Sequence, residues 1–358
     1  MPTSWLIGGP SRCGKTTLVN VAEKYSSSHV ALPVEALFVV FYYRWYPFAR
    51  SCANLILSDY LGRERYTNAE RTAAKKPIDS FKRDLSETVT TVLERSSGSH
   101  QLSQIASALD VMAEDQDKKG WVACDLNPEY LYPRMRKRMP GVGLIIMLRD
   151  PREAIAAALY WRDWPRGAAL REPIFRHRLV VWCLSALTAF QHKKQFRGDV
   201  QIGNFNKTFL GRGTVGDDLQ DVLNIPADAL RSEFNNLPFF SVNSEGWFLG
   251  YDNQWHQLLT DEELAVVEAI AAPWMKKLGY APIVSQRAGA PAISRGFVKE
   301  RFIIGIGKYF PETAKIICDF MYFPKTFLRR RFNIVLSNLK IIVRMTGVHS
   351  MMRQDMSK

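Results

Sequence analysis

Cysteine is scarce in this sequence. Five residues, Cys13, Cys52, Cys124, Cys183 and Cys318, are scattered over 358 positions without a C-x-x-C pair. That excludes a disulfide framework and a zinc-ribbon site, and it suits reduced thiols in a cytosol. Long apolar runs are missing too. No stretch reaches the roughly 18 uncharged apolar residues that a membrane-spanning helix needs. The opening MPTSWLIGGP has neither a basic n-region nor a long apolar h-region, so no signal peptide is expected. The six histidines (29, 100, 177, 192, 256 and 349) show no metal-ligand spacing, so no metal is expected. No nucleic-acid motif is present, and no nucleic-acid partner is expected.

Acid is also in deficit. There are 35 Asp+Glu against 48 Lys+Arg, a formal charge of +13. Such an excess points to anionic partners and says nothing about fold. It is unevenly placed: from Arg295 to Lys358 there are 13 basic and 4 acidic residues. The rest of the chain is only mildly basic. With 47% hydrophobic and 23% charged residues, the chain is globular rather than disordered.

Along the chain, apolar runs of strand length alternate with helical periodicity. Residues 4–8, 34–41, 121–124, 143–148 and 199–205 read as strands. Residues 17–22, 152–161, 173–196 and 261–278 read as helices. The last of these opens on the capping box Thr260-Asp261-Glu262-Glu263 and closes before Gly279. The polar stretch 60–120 reads as helices and loops that could close over a substrate. The pattern predicts an α/β fold, a mostly parallel sheet covered by helices. Three parts are expected: a domain over 1–280, a linker rich in Ala, Gly, Pro and Ser over 281–296, and a basic extension over 297–358. Within the extension Leu328, Phe332, Val335, Leu336, Leu339 and Ile342 recur at helical spacing, with Arg330, Lys340 and Arg344 on the other side. Two readings of this amphipathic helix stay open: an interfacial anchor on an anionic membrane surface, or docking onto the body.

Two motifs carry chemistry. Gly9-Pro10-Ser11-Arg12-Cys13-Gly14-Lys15-Thr16 satisfies G-x-x-x-x-G-K-[ST] between a strand and a helix, the context a phosphate loop requires. Glycines there let backbone N–H groups converge on phosphate oxygens, and the helix N-terminus adds positive potential. Lys15 and Arg12 supply charge, and Thr16 and Thr17 supply hydroxyls. The second motif is Arg149-Asp150-Pro151-Arg152, at the C-terminal end of the strand over 143–148. Ligands of open α/β sheets bind at such ends. Arg149 and Arg152 are candidates for a second phosphate or for ion pairs with nearby acids.

At these residues the sequence resembles the sulfotransferases that use 3′-phosphoadenosine 5′-phosphosulfate (PAPS). Leu148-Arg149-Asp150-Pro151-Arg152-Glu153 is similar to that family's 3′-phosphate signature. Cys124-Asp125-Leu126-Asn127-Pro128-Glu129-Tyr130 resembles its Glu-Lys-x-Pro-x-Tyr segment. Gly250-Tyr251-Asp252-Asn253-Gln254-Trp255, with the later Leu278-Gly279-Tyr280, resembles its closing loop and terminal helix. The likeness covers roughly residues 4–280. Lys15 departs from the family loop and makes it kinase-like. The family's 3′-phosphate serine falls on Ala157, and its Glu-Lys pair falls on Asp125-Leu126.

The resemblance implies a P-loop fold and sulfuryl transfer from PAPS to a hydroxyl of a carbohydrate or glycolipid. Arg12, Lys15 and the backbone of Cys13 and Gly14 would hold the 5′-phosphosulfate, Thr16 and Thr17 the 5′-phosphate, and Arg149 and Trp255 the 3′-phosphate side. Asp125 is the first candidate for general base, ahead of His100 and Glu64. The aromatic-basic cluster over 42–48 reads as packing more readily than as a sugar platform. A cytoplasmic location, peripheral on the inner face of a membrane, completes the expectation. The alternatives are a P-loop kinase using ATP and Mg²⁺, and a non-catalytic nucleotide-binding protein associated with a membrane.

Overall fold

The computed structural model describes residues 2–32, 101–125, 127–163, 171–211, 215–226, 228–236, 255–283 and 297–324. The strand expected over 34–41, the cluster over 42–48, Glu64, His100, Leu126, the loop 250–254, residues 284–296 and the amphipathic pattern over 328–342 lie outside these residues.

Five strands form one sheet: β1 (Ser4–Gly8), β2 (His29–Leu32), β3 (Gly120–Cys124), β4 (Val142–Leu148) and β5 (Val200–Asn204). Their order is β2-β3-β1-β4-β5, and every pair is parallel. The α/β fold with a parallel sheet is therefore as expected. Helices cover such a sheet, so its strands read as continuous apolar runs. Every residue of β1, β3 and β4 is buried. β2 was not expected from the sequence: its HVAL is only four residues long and follows a serine run.

The helices follow in chain order: α1 (Lys15–Tyr25), α2 (Gln101–Glu114), α3 (Tyr132–Met135), α4 (Pro151–Asp163), α5 (Arg171–Gln195) and α6 (Phe205–Leu210). After them come α7 (Leu219–Leu223), α8 (Ala229–Asn236), α9 (Trp255–Leu258), α10 (Asp261–Lys277), α11 (Val298–Gly307) and α12 (Pro311–Tyr322). The predicted capping box opens α10: Thr260 Oγ1 accepts from the Glu263 N–H, and Glu263 accepts from the Thr260 N–H. Gly279 follows α10 with φ +79°, as a C′ glycine should. Beyond it, the Tyr280 hydroxyl donates to Asn204 Oδ1 at 3.0 Å, while Asn204 Nδ2 donates to the Leu278 carbonyl at 3.1 Å. The same Asn204 oxygen caps α6. The Leu-Gly-Tyr ending thus locks the end of α10 to the end of β5.

Helix α5 is buried on nearly every side, which marks a helix inside the molecule rather than on its surface. The reason is that α11 and α12 cover the face turned away from the sheet. Ile303, Ala314 and Cys318 form a second apolar cluster with Tyr130, Val180, Val181 and Leu184. Ion pairs reinforce the seam, Arg176–Glu300 at 3.0 Å and Arg134–Glu312 at 2.9 Å, beside a His177–Asp319 hydrogen bond at 2.8 Å. None of the described helices is long and apolar enough to cross a membrane.

The His177–Asp319 contact makes the seam pH-sensitive. Burial holds the imidazole neutral and lowers its pKa to about 4. Burial alone would raise the Asp319 carboxyl, but the His177 hydrogen bond and the Lys315 charge bring it down to about 2. As pH falls below the usual histidine value, the unfolded chain takes up a proton that buried His177 refuses. Stability is therefore complete above pH ~6.5 and declines towards pH ~4, by at most about 2 kcal/mol between 6.5 and 5. Asp319 adds a loss only at still lower pH. Thermal melts at pH 7 and pH 5 should differ less in His177→Gln than in the unaltered protein. An unchanged difference would show that His177 does not carry this dependence.

Candidate functional site

The β1–α1 loop is a phosphate loop in its backbone as well as in its sequence. Gly9, Arg12 and Gly14 take φ +116°, +69° and +86°. Gly9 has no alternative, since a Cβ there would stand 2.2 Å from the Met147 carbonyl oxygen of β4. A Cβ on Gly14 would meet the rings of Phe209 and Phe205 at 2.7 and 2.9 Å. Arg12 holds the left-handed conformation with a side chain, at a cost of about 1 kcal/mol or more. The turn delivers the N–H groups of Cys13, Gly14 and Lys15 to the first turn of α1, whose donors lack helical partners. Buried Lys15 donates from Nζ to the Asp125 carbonyl at 3.3 Å. Thr16 is half-buried and Thr17 buried. Burial pushes the Cys13 thiol up to about 12 despite nearby Arg149 and Lys15, so it stays protonated and is no nucleophile.

Beneath the loop lies a carboxylate. Glu129, fully buried after β3, accepts the Gly9 N–H at Oε2 (3.1 Å) and the Ser185 hydroxyl at Oε1 (2.6 Å). Its carbonyl lies 2.9 Å from His192 Nε2. A Cβ on Gly8 would stand 2.7 Å from Glu129 Oε2, so the missing side chain of Gly8 lets this carboxylate approach. Asp125 ends the same strand. It is fully buried, and its N–H donates to the Ile7 carbonyl at 3.0 Å, extending the β3–β1 ladder.

The second motif stands beside the first because β4 pairs with β1, Gly8 opposite Ile146. Buried Arg149 donates from Nε to Glu153 Oε2 at 2.8 Å and from Nη1 to the Arg12 carbonyl at 3.4 Å. Its guanidinium lies 4.1 Å over the Phe205 ring, the ring that also packs on Gly14. Trp182 Nε1 donates to the Arg149 carbonyl at 2.9 Å. Burial raises the Glu153 carboxyl pKa, with Arg149 opposing.

Of the two uses open to Arg152, the structure shows ion pairing. Its guanidinium reaches the buried carboxylates of Asp150 at 2.6 Å and Glu268 at 2.8 Å, and the Ala281 carbonyl at 3.0 Å. It also lies 4.7 Å over the ring of Trp255, which is buried at the start of α9. Ala157, where the resembled family carries a serine, is buried in α4.

Arg12, Cys13, Gly14, Lys15, Thr16, Thr17, Asp125 and Arg149 thus cluster at the C-terminal ends of three adjacent strands, while Trp255 sits with Arg152. Three residues join this cluster without having been singled out. Arg178 of α5 donates from Nη1 to Ser11 Oγ at 3.2 Å. Glu129 holds the loop from below, and Phe205 props both motifs. Arg178 follows the long helix pattern like any exposed base, so no sequence signal marks it.

No family model matches the chain, and no curated protein matches it. Solved structures do. The sulfotransferase domain from the curacin biosynthetic pathway is 13% identical, covering 79% of this chain and 99% of its own, with TM-score 0.42. The sulfotransferase STF9 from Mycobacterium avium is 13% identical, covering 78% of each chain, with TM-score 0.39. The sulfotransferase domain of the Synechococcus PCC 7002 olefin synthase is 12% identical, covering 82% of this chain and 92% of its own, with TM-score 0.36.

Proposed function

We propose that the protein transfers a sulfuryl group from PAPS to a hydroxyl of a carbohydrate or glycolipid. One observation carries the reading. The phosphate loop and the Arg149 segment meet at neighbouring strand ends, with Arg149 Nη1 3.4 Å from the Arg12 carbonyl. A donor with phosphate at both 5′ and 3′ positions needs two such segments; a single-phosphate ligand needs one.

In this reading the loop N–H groups, Arg12 and Lys15 bind the 5′-phosphosulfate. Thr16 and Thr17 meet the 5′-phosphate. Arg149 binds the 3′-phosphate, with Trp255 closing that side. The acceptor oxygen forms a bond to sulfur as the bond from sulfur to the 5′-phosphate oxygen breaks, and the leaving bisphosphate keeps the electron pair. Charge gathers on that bridging oxygen, where Lys15 and the helix N-terminus stabilise it. Asp125 takes the acceptor proton; full transfer by an Asp125→Asn variant would remove it from that role. The buried cysteine thiols fit a cytoplasmic location, and the basic residues 297–358 fit a peripheral place on an anionic inner membrane face.

A second reading, an ATP- and Mg²⁺-dependent kinase, draws on the complete G-x-x-x-x-G-K-T loop and on Asp125 at the end of β3 beside β1. Ala157 favours a third, nucleotide binding without turnover. Thermal shifts separate donors, because a ligand bound only by the native state stabilises it, by about 2.7 kcal/mol at 100 times its Kd. Adenosine 3′,5′-bisphosphate without metal should raise Tm, and ATP–Mg²⁺ should not. The reverse result would favour the kinase, and bisphosphate binding without transfer to any acceptor the third reading.

A further inference from the structure

We infer that the α11–α12 hairpin is a membrane-docking surface, and that the cleft beside it receives an anionic phospholipid headgroup and its adjoining acyl chain. The inference is independent of the transfer reaction.

The helix geometry comes first. At 100° per residue, Ile303 and Gly307 share the face of α11 that packs on α5, where a Cβ on Gly307 would meet Leu184 at 2.2 Å. Val298, Phe302 and Gly305 fall on the opposite face, and Tyr309 continues their line one residue beyond the helix cap. Val298, Phe302 and Tyr309 are 64%, 65% and 71% exposed. Phe310, which caps α12, is exposed to the same degree, and Phe320 adds a further ring on α12. Exposed aromatic rings, here Tyr309 and Phe310 at the hairpin tip and Phe302 and Phe320 along its helices, are the side chains enriched at bilayer interfaces.

Between the packed face and the exposed stripe lie Ile304, Lys308 and Arg301. These three line a cleft of about 300 Å³ whose other walls include Leu187, Ile270 and Trp274. The cleft is apolar with two cations, both exposed, on the side next to the aromatic stripe. That order, apolar pocket, positive charge, aromatic rings, matches the order of acyl chain, phosphate and interface in a leaflet.

Charge selects this occupant over two others. The acids of the hairpin are already paired: Glu300 with Arg176, Glu312 with Arg134, and Asp319 with Lys315 of the same helix, its carboxylate also hydrogen-bonded to His177. Exposed Lys299, Arg301 and Lys308 therefore set the sign of the outer face. A second copy would bring like charge against like. So would the chain's own residues 325–358, which carry Arg329, Arg330, Arg331, Lys340 and Arg344. An anionic bilayer has the opposite charge.

The test is co-sedimentation of the full-length protein with vesicles of phosphatidylcholine alone or mixed with phosphatidylglycerol. Binding to the mixed vesicles is expected to exceed binding to neutral ones. It should fall about tenfold or more in R301E/K308E, which reverses two charges, and in F302S/F310S. Both pairs are exposed, and unchanged thermal melts would show that the variants are folded. L336S/L339S in the tail serves as the comparison. Slowed amide exchange over residues 297–310 on mixed vesicles is the second readout. The inference is overturned if neutral and mixed vesicles bind alike or neither binds. It is overturned equally if the hairpin variants bind as well as the unaltered protein, or if protection on vesicles skips residues 297–310. A concentration-dependent dimer abolished by F302S/F310S would assign the face to a second copy instead.

Discussion

Replacing Lys15 with methionine is expected to lower the rate of the proposed sulfuryl transfer by about 10²–10³-fold while leaving the fold intact. Lys15 is the first residue of α1, and its side chain is buried with the ammonium against the Asp125 carbonyl, where charge is poorly screened. A cation aimed at developing negative charge acts mainly in the transition state, so its loss appears in kcat more than in KM. Methionine keeps the aliphatic stem that packs in the loop. What the fold loses is the hydrogen bond to the Asp125 carbonyl at 3.3 Å, worth about 1–3 kcal/mol. The measurement is sulfuryl transfer from PAPS under saturating donor, with a thermal melt as the control. A rate within threefold of the unaltered protein would show that Lys15 does not face the reacting group.

Replacing Arg152 with alanine should be the most damaging change to stability, about 3–5 kcal/mol. Its guanidinium stands between two carboxylates, Asp150 and Glu268, whose side chains are 6% and 1% exposed. Removing it leaves two buried negative charges facing each other and strips the cation from the Trp255 ring. The fall in Tm should approach about 10 °C. Adding Glu268→Ala should recover part of the loss, because it removes one of the stranded charges. A Tm within about 2 °C of the unaltered protein would contradict the account. Arg152→Lys should be intermediate, since an ammonium cannot serve Asp150, Glu268 and the Ala281 carbonyl in one plane.

These two cations show what the sequence can and cannot reveal. Lys15 is legible because its chemistry is local: strand, glycines, lysine and helix lie within twelve residues. Strands β1, β3 and β4 are legible for the same reason, as is the capping box of α10. Arg149 and Arg152 look alike in sequence. One precedes α4 at a strand end and the other enters its first turn, and only the packing of Glu268, 116 residues away, gives the second its partner. Glu129 meets the loop from 120 residues away and Arg178 from 167. Periodicity carries no record of such pairings. The short strand β2 escaped because four residues leave too little alternation to read.

The sheet order has a consequence for synthesis. Strand β1 is made first yet ends in the middle, between β3 and β4. At about 5–20 residues per second, it waits on the order of ten seconds for either neighbour to leave the ribosome. Through that interval the nascent chain carries an apolar strand with two open edges. Glu129, the anchor for Gly9, emerges with the first neighbour; Arg149, Arg178, Phe205 and the Tyr280 latch come progressively later. The rate of synthesis between β1 and β3 therefore sets how long those edges stay open.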